Sequence, residues 1–178
     1  MRLNSIEIEN ITSLMGKHYI DFEEILKEGE LFAITGPTGS GKSSILTSIS
    51  LALYGKNHKK SLDSRDFVSL GAAAASIKLN FETKGNKYCA SWSLKVLKKN
   101  GDPIKKPSVQ RIVSKDGVAI ESSPEEIIGL TFDQFIRSVI LNQGQFSKFL
   151  ISNFSERRKI LERLYSENEL SEINKKLR

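Results

Sequence analysis

Gly36-Pro37-Thr38-Gly39-Ser40-Gly41-Lys42-Ser43 reads Gly-x-x-x-x-Gly-Lys-Ser, the spacing of a loop that wraps its backbone around phosphate oxygens. Residues 31–35, Leu-Phe-Ala-Ile-Thr, precede it as a short apolar run that fits a buried strand. Residues 44–54 follow with Ile45, Leu46, Ile49 and Leu53 at helical spacing. Gly55 then stands where a helix C-terminus wants a residue free to adopt positive φ. Strand, glycine loop and helix together are the context that gives the motif its meaning. A chance match is expected on the order of once in 10⁵ windows, far too seldom to expect in a chain of 178 residues.

The chemistry accounts for the residue types. Polyphosphate oxygens need many donors at close range, and Gly36, Gly39 and Gly41 let the backbone approach and turn its N–H groups inward. Thr38 and Ser40 belong to the same cradle. The first turn of the following helix adds free N–H groups and a positive dipole end. Lys42 brings a point charge to β- and γ-phosphates, and the Ser43 hydroxyl can ligate a Mg²⁺ that bridges them. Ser44 can donate to an α-phosphate. These residues point to a nucleotide's phosphates with Mg²⁺ as ligands.

The length suits one domain or one large lobe, and 39% hydrophobic residues suffice for a core. The formal net charge is +6. Residues 84–115 hold nine Lys or Arg against the single acid Asp102, so that window carries +8 and the remainder −2. Cys89 is the only cysteine, which excludes an internal disulfide and a cysteine metal site. His18 and His58 stand apart from acidic clusters and read as surface residues. No 18-residue apolar run and no secretory signal occur in the sequence, which implies a cytoplasmic protein without a membrane partner.

Residues 3–10 alternate, Ile6 and Ile8 on one face and Glu7 and Glu9 on the other, as a half-buried strand does. Residues 18–22 read as a second strand with Ile20 and Phe22 inward. Residues 77–81 and 88–96 alternate around a turn at residues 84–87, a hairpin signal. Residues 109–113 and 118–120 flank Lys115-Asp116-Gly117 as another. An antiparallel sheet is thus inserted after the loop helix, and it carries the basic window. Ser123-Pro124-Glu125-Glu126 and Thr131-Phe132-Asp133-Gln134 are capping boxes that open two helices. Residues 139–141 read as a buried strand running into Asn142-Gln143-Gly144-Gln145-Phe146. From 155 to 178 the pattern is helical, with Leu161 and Leu164, then Leu170, Ile173 and Leu177, as apolar sets among mixed charges. The pattern fits the start of a coiled coil and equally a single amphipathic helix packed on the domain.

On four stretches the chain resembles the N-terminal ATPase lobe of SbcC-type SMC-like ATPases. They are Asn10-Ile11-Thr12-Ser13-Leu14, the phosphate loop with residues 46–54, residues 135–150 around Leu141-Asn142-Gln143-Gly144-Gln145-Phe146, and Glu156-Arg157 before Ile160-Leu161-Glu162. The resemblance implies an α/β ABC-type head lobe: a mixed sheet with an inserted antiparallel β-subdomain, residues 1–154, and a coiled-coil helix beginning at 155–178. It implies a Q-loop at 141–146, in which Gln143 ligates Mg²⁺ and senses the γ-phosphate. A neutral amide can do both. It further implies a C-terminal lobe, a second head that dimerises around ATP, an SbcD-type nuclease and double-stranded DNA as partners.

The family's Leu-Ser-Gly-Gly signature, Asp-Glu strand end and catalytic glutamate do not occur in the sequence, which reads as one lobe cut at the root of a coiled coil or a truncated reading frame. Thr12 stands where many relatives carry arginine. The expected function is ATP-dependent processing of DNA ends and hairpins. Lys98, Lys99, Lys105 and Lys106 are the candidate DNA contacts. An SMC-like ATPase that only holds DNA is the alternative. A small P-loop kinase or GTPase fits less well, because it needs an acidic strand end and, for a GTPase, an Asn-Lys-x-Asp base reader, which the sequence lacks.

Overall fold

The computed structural model describes residues 1–26, 34–57 and 63–138. The chain divides into two units, Met1–Gly129 and Leu130–Arg178. The strand expected at 139–141, Gln143 with its loop, the boundary at 154 and the helix from 155 onward lie outside the described residues.

β1 (Arg2–Ile11) and β2 (Leu14–Asp21) form an antiparallel hairpin. β3 (Ala74–Thr83), β4 (Asn86–Lys95), β5 (Val109–Lys115) and β6 (Val118–Ile120) extend it into one six-stranded sheet of order β2-β1-β3-β4-β5-β6. The strands expected as an insertion therefore continue the opening hairpin and do not form a sheet of their own. The joint is β1 against β3, where Ile6 faces Leu79 and Ile8 faces Ile77, so two apolar alternations share one face. Every pairing in this sheet is antiparallel. The strand expected at 31–35 falls mostly outside the described residues, and Ile34 and Thr35 are irregular and exposed.

The hairpins close as their sequences demand. Lys84-Gly85 has φ of 51° and 72°, and Asp116-Gly117 has 50° and 83°. Positive φ at both central residues is the turn whose twist matches paired strands.

One face of the sheet is the core. Ile6, Ile8, Ile77, Leu79, Phe81, Ala90, Trp92, Leu94 and Val113 are buried there, the larger ones worth about 1.5–3 kcal/mol each. α2 (Lys42–Tyr54) lies against β1, β3 and β4. Its buried set is wider than the apolar stripe expected. Leu46 is 38% exposed, whereas Ser44, Thr47, Ser48 and Ser50 are buried with Ile49, Leu51, Ala52, Leu53 and Tyr54. Burial of serine is tolerated because Ser48 Oγ donates to the Ser44 carbonyl at 2.8 Å and Ser50 Oγ to the Leu46 carbonyl at 3.1 Å. Phe22, expected at the end of a strand, instead opens the short helix α1 (Phe22–Ile25), whose Glu24 N–H is capped by Asp21 at 3.0 Å. Phe22 is buried all the same. The opposite face is polar, with the Lys78–Glu7 ion pair at 3.7 Å and an Asn80–Ser5 hydrogen bond at 2.9 Å.

α2 ends as expected at Gly55, φ 66°, whose N–H reaches the Leu51 carbonyl at 2.8 Å. Its last carbonyls are taken by a side chain from β5. Arg111 donates from Nε to Ala52 O at 3.1 Å and from Nη2 to Leu53 O. Burial pulls the Arg111 guanidinium below its ordinary pKa, and the Glu125 carboxylate works against that pull. Burial, with Glu125 adding to it, pushes the Tyr54 phenol up to about 12. Glu125 lies in α3 (Pro124–Ile128), which opens with the expected capping box and ends at Gly129. In the second unit, α4 (Phe132–Ser138) opens with Thr131 and Gln134 capping each other's backbone N–H groups at 2.9 and 3.3 Å.

Arg111→Met keeps the apolar stem and removes two charge-assisted hydrogen bonds and a cation at a helix C-terminus. It is expected to lower unfolding stability by about 1–3 kcal/mol, read by urea denaturation. A loss no larger than that of an exposed lysine variant would show that the helix end needs no cap.

Candidate phosphate-binding site

The loop residues Thr35 to Ser40 are exposed. Gly36, Gly39 and Gly41 have φ of 154°, 86° and 93°, values that side chains rarely adopt. A Cβ on Gly41 would run into Leu14 Cδ2, and one on Gly36 would stand 2.8 Å from Ser40 Oγ. A Cβ on Gly39 would meet nothing, so the need there is conformational alone. The Ser40 N–H closes the loop onto Pro37 O at 3.2 Å.

α2 starts at Lys42 with Gly41 as its N-cap, without a side-chain cap and without an acid in the first turn. The opening N–H groups of a helix have no partner within it, and its own first turn holds no carboxylate to neutralise its positive end. That is the electrostatic setting in which an anion replaces the missing cap. Lys42 Nζ folds over the loop, donating to Gly36 O at 2.7 Å and Pro37 O at 2.8 Å, with Ser40 Oγ at 3.5 Å. Its positive charge is therefore held over the same cradle.

The structure brings Gly36, Thr38, Gly39, Ser40, Gly41, Lys42 and Ser43 into one loop and helix start. Ser44 differs. Its side chain is buried, and its hydroxyl accepts from Thr12 Oγ1 and lies 3.0 Å from Ser13 Oγ. Thr12 and Ser13, the two turn residues between β1 and β2, are thus neighbours of the site that sequence reading did not assign. Their signals in the sequence are a pair of hydroxyl residues in the turn of the opening hairpin and the departure from arginine at Thr12.

The loop suits a nucleotide's phosphates, because it offers backbone donors, one cation and small side chains. Among the described residues no three His, Cys, Asp or Glu come together to hold a metal. The Ser43 hydroxyl, exposed in the first turn of α2, is the described group that would hold Mg²⁺ beside the phosphates, and Gln143 lies outside the described residues.

The basic window divides. Arg111 caps α2, and Lys84 donates to Glu126 O at 3.3 Å. Lys98, Lys99, Lys105 and Lys106 lie on the connection between β4 and β5, away from the loop in sequence. That connection is itself a tight hairpin, with Leu97 bridging Pro103 and the Lys98 N–H donating to Asp102 O at 2.8 Å. Asp102, the window's single acid, accepts from Asn100 Nδ2 at 2.7 Å.

Gly41→Ala combines a forbidden φ with a collision against Leu14, and Gly39→Ala carries the φ penalty alone. Each penalty for such backbone strain is about 1–3 kcal/mol, so Gly41→Ala is expected to be the more destabilising in thermal unfolding. Equal losses would show that Leu14 does not fix the loop.

Residues 5–178 match the AAA domain family AAA_23. The chain is 33% identical to the SbcC component of nuclease SbcCD from Clostridium acetobutylicum, over 90% of its own length and 14% of that protein's. It is 32% identical to the SbcC component of the Bacillus subtilis nuclease, over 100% of its length and 16% of that protein's. A probable DNA double-strand break repair Rad50 ATPase of Aquifex aeolicus is 29% identical over 97% of the chain and 17% of its own length. The chain thus spans about a sixth of the length of these relatives. The family match takes in the phosphate loop and all of the sheet but the first residues of β1, and the chain belongs to the AAA domain family AAA_23 as an SbcC-type member.

Proposed function

We propose that the chain is the ATP-binding lobe of an SbcC-type ATPase, acting with its C-terminal lobe and an SbcD-type nuclease in ATP-dependent processing of DNA ends and hairpins during repair and recombination. The observation that carries this reading is the glycine loop held open in front of an uncapped helix, with Lys42 lying across it. Two of the relatives are named as parts of a nuclease and a third as an ATPase of double-strand break repair, which supports the DNA-processing part.

ATP with Mg²⁺ supplies the phosphoanhydride and a counter-charge on its oxygens. The chain's own residues bind and orient. The N–H groups of Gly41 to Ser44, at the start of α2, face the phosphates, Lys42 exchanges its loop carbonyls for β- and γ-oxygens, and Ser43 offers its hydroxyl to the metal. Gln143 couples that metal to the partner lobe. Residues 1–154 form the lobe and residues 155–178 begin the coiled coil. The water-activating glutamate and the signature motif belong to the C-terminal lobe, and two heads close around ATP. The protein works in the cytoplasm. Among the described residues no helix is long and apolar enough to cross a membrane.

Lys42→Ala is expected to abolish ATP binding in calorimetry with Mg²⁺ and to leave the circular dichroism spectrum unchanged. The parent chain alone is expected to bind ATP and not turn it over, because general-base help worth about 10²–10⁴-fold is missing. Adding a C-terminal lobe in trans restores turnover that Gln143→Ala then reduces. Unchanged affinity in the lysine variant would remove the phosphate-loop reading, and hydrolysis by the chain alone would make it a self-sufficient enzyme.

Lys98, Lys99, Lys105 and Lys106 contact the phosphates of duplex DNA without reading bases. Neutralising all four in an ATP-bound two-lobe head should weaken DNA binding and flatten the salt dependence of log K by about 0.9 per lost contact. Parent-like affinity and slope would leave these lysines as a solubility device.

A further inference from the structure

The turn between β1 and β2 carries a backbone conformation that its residue type resists. Thr12 has φ 48°, and a β-branched residue at positive φ is an outlier that persists only where its surroundings impose it. Here they do. The Thr12 N–H donates to Phe67 O at 2.9 Å, and Ser69 Oγ donates to Thr12 O at 2.8 Å. Both backbone groups of one residue are therefore fixed by the 3-10 turn Ser64–Phe67 and the segment that follows it. The Ser69 N–H adds a bond to Asn10 O at 2.9 Å, and Asn10 Oδ1 accepts the Gly16 N–H at 2.8 Å, so both flanks of the turn are tied as well.

What this turn holds is the start of α2. Thr12 Oγ1 donates to Ser44 Oγ, and Ser13 Oγ lies 3.0 Å from the same atom. Two residues along, the Leu14 side chain occupies the space that a Cβ on Gly41 would need. Gly41 is the N-cap of α2 and Ser44 lies in its first turn, so three consecutive residues grip the two ends of the stretch Gly41–Ser44. Ser44 is 7% exposed, and its hydroxyl is engaged sideways while its backbone N–H remains among the helix's opening donors.

We propose that Thr12 is a positioning residue for the phosphate loop: held at positive φ by Phe67 and Ser69, it fixes Ser44 through the hydroxyl pair and thereby the direction of the N–H groups of α2's first turn. Thr12 does not touch the nucleotide in this scheme; it acts through Ser44. The inference rests on the phosphate-loop reading of the site.

The test uses the full chain and measures ATP affinity with Mg²⁺ by calorimetry, with thermal unfolding alongside. Thr12→Val keeps the branch and loses the hydroxyl. Thr12→Gly loses the hydroxyl and relieves the φ, so it stays folded. Thr12→Ser keeps the hydroxyl. One hydrogen bond of this kind corresponds to about a three- to tenfold change in affinity. The valine and glycine variants are expected to bind ATP that much more weakly, although the glycine variant keeps the parent's thermal midpoint. The serine variant is expected to bind within about twofold of the parent. A turn that merely stabilises the fold would instead give affinities that follow the thermal midpoints, and that result would overturn the proposal. Valine and glycine variants that bind like the parent, while Lys42→Ala does not bind, would also overturn it and leave the phosphate-loop reading intact. If Lys42→Ala also binds like the parent, the phosphate-loop reading itself falls, and the proposal with it.

Discussion

The first turn of α2 must do two things that oppose each other. Its N–H groups have to stay unpaired, or there is nothing to offer a phosphate. The helix that carries them has to stay still, or the donors do not converge. A cap from its own side chains would give stillness at the expense of the donors. The structure leaves the N-cap bare at Gly41 and fixes the helix elsewhere. Ser44 is gripped from the β1–β2 turn, the last carbonyls are gripped by Arg111, and the length between lies on the sheet.

That external grip is needed because the helix is poor on its own account. Residues 42–54 hold four serines and a threonine, types that compete with the helix for backbone hydrogen bonds. Thirteen residues of such composition are marginal in water. The small hydroxyl side chains serve through their size. Ser48 and Ser50 are fully buried, which lets the helix backbone come close to the sheet while each hydroxyl bonds back to its own helix. Helix stability is thus a tertiary property. Damage to the sheet should reach the phosphate loop even where no loop residue is touched.

Much of this was legible in the sequence. Period-2 alternation marks β1, β3 and β4, the turn at Lys115-Asp116-Gly117 marks the β5–β6 hairpin, and the Gly-Lys-Ser loop marks its own chemistry. Four things were not read from the sequence. The union of the opening hairpin with the later strands pairs residues far apart in the chain, such as Ile8 with Ile77, and no local pattern encodes it. The burial of α2's serines could not be read from an apolar stripe, since hydroxyls that bond back to the helix leave no hydrophobic trace. Arg111 was counted with the basic window because a composition count has no direction. Its parity was the available clue: it alternates in step with Val113, which is buried at 5%, and so it faces inward beside the helix. The turn at Thr12 was noticed as a departure in residue type, whereas its backbone conformation depends on Phe67 and Ser69, far away in sequence.

The same directional reading changes what the positive charge means. With Arg111 and Lys84 committed to helix carbonyls, the window is no longer a uniform cationic surface. Of the rest, Lys87 and Lys115 lie at the other end of β4 and β5, whereas Lys98 and Lys99 enter the hairpin between these strands and Lys105 and Lys106 leave it. Asp102 bonds Asn100 within the turn. Among the described residues none of these four lysines has an ion pair; the ion pair formed by these residues is Lys78–Glu7, on the polar face. Like charges so placed repel, by about 1 kcal/mol at 4 Å in bulk water and less once screened. The hairpin keeps its shape through backbone bonds, such as Ile104 N–H to Val96 O at 2.8 Å, and through Arg65, whose guanidinium donates to Ile104 O at 3.2 Å and to Lys105 O. A further cation thus serves as the clamp. None of these contacts engages the ammonium groups, so the shape of the hairpin does not depend on neutralising them. All four lysines are exposed, and among the described residues their charge is held by no carboxylate.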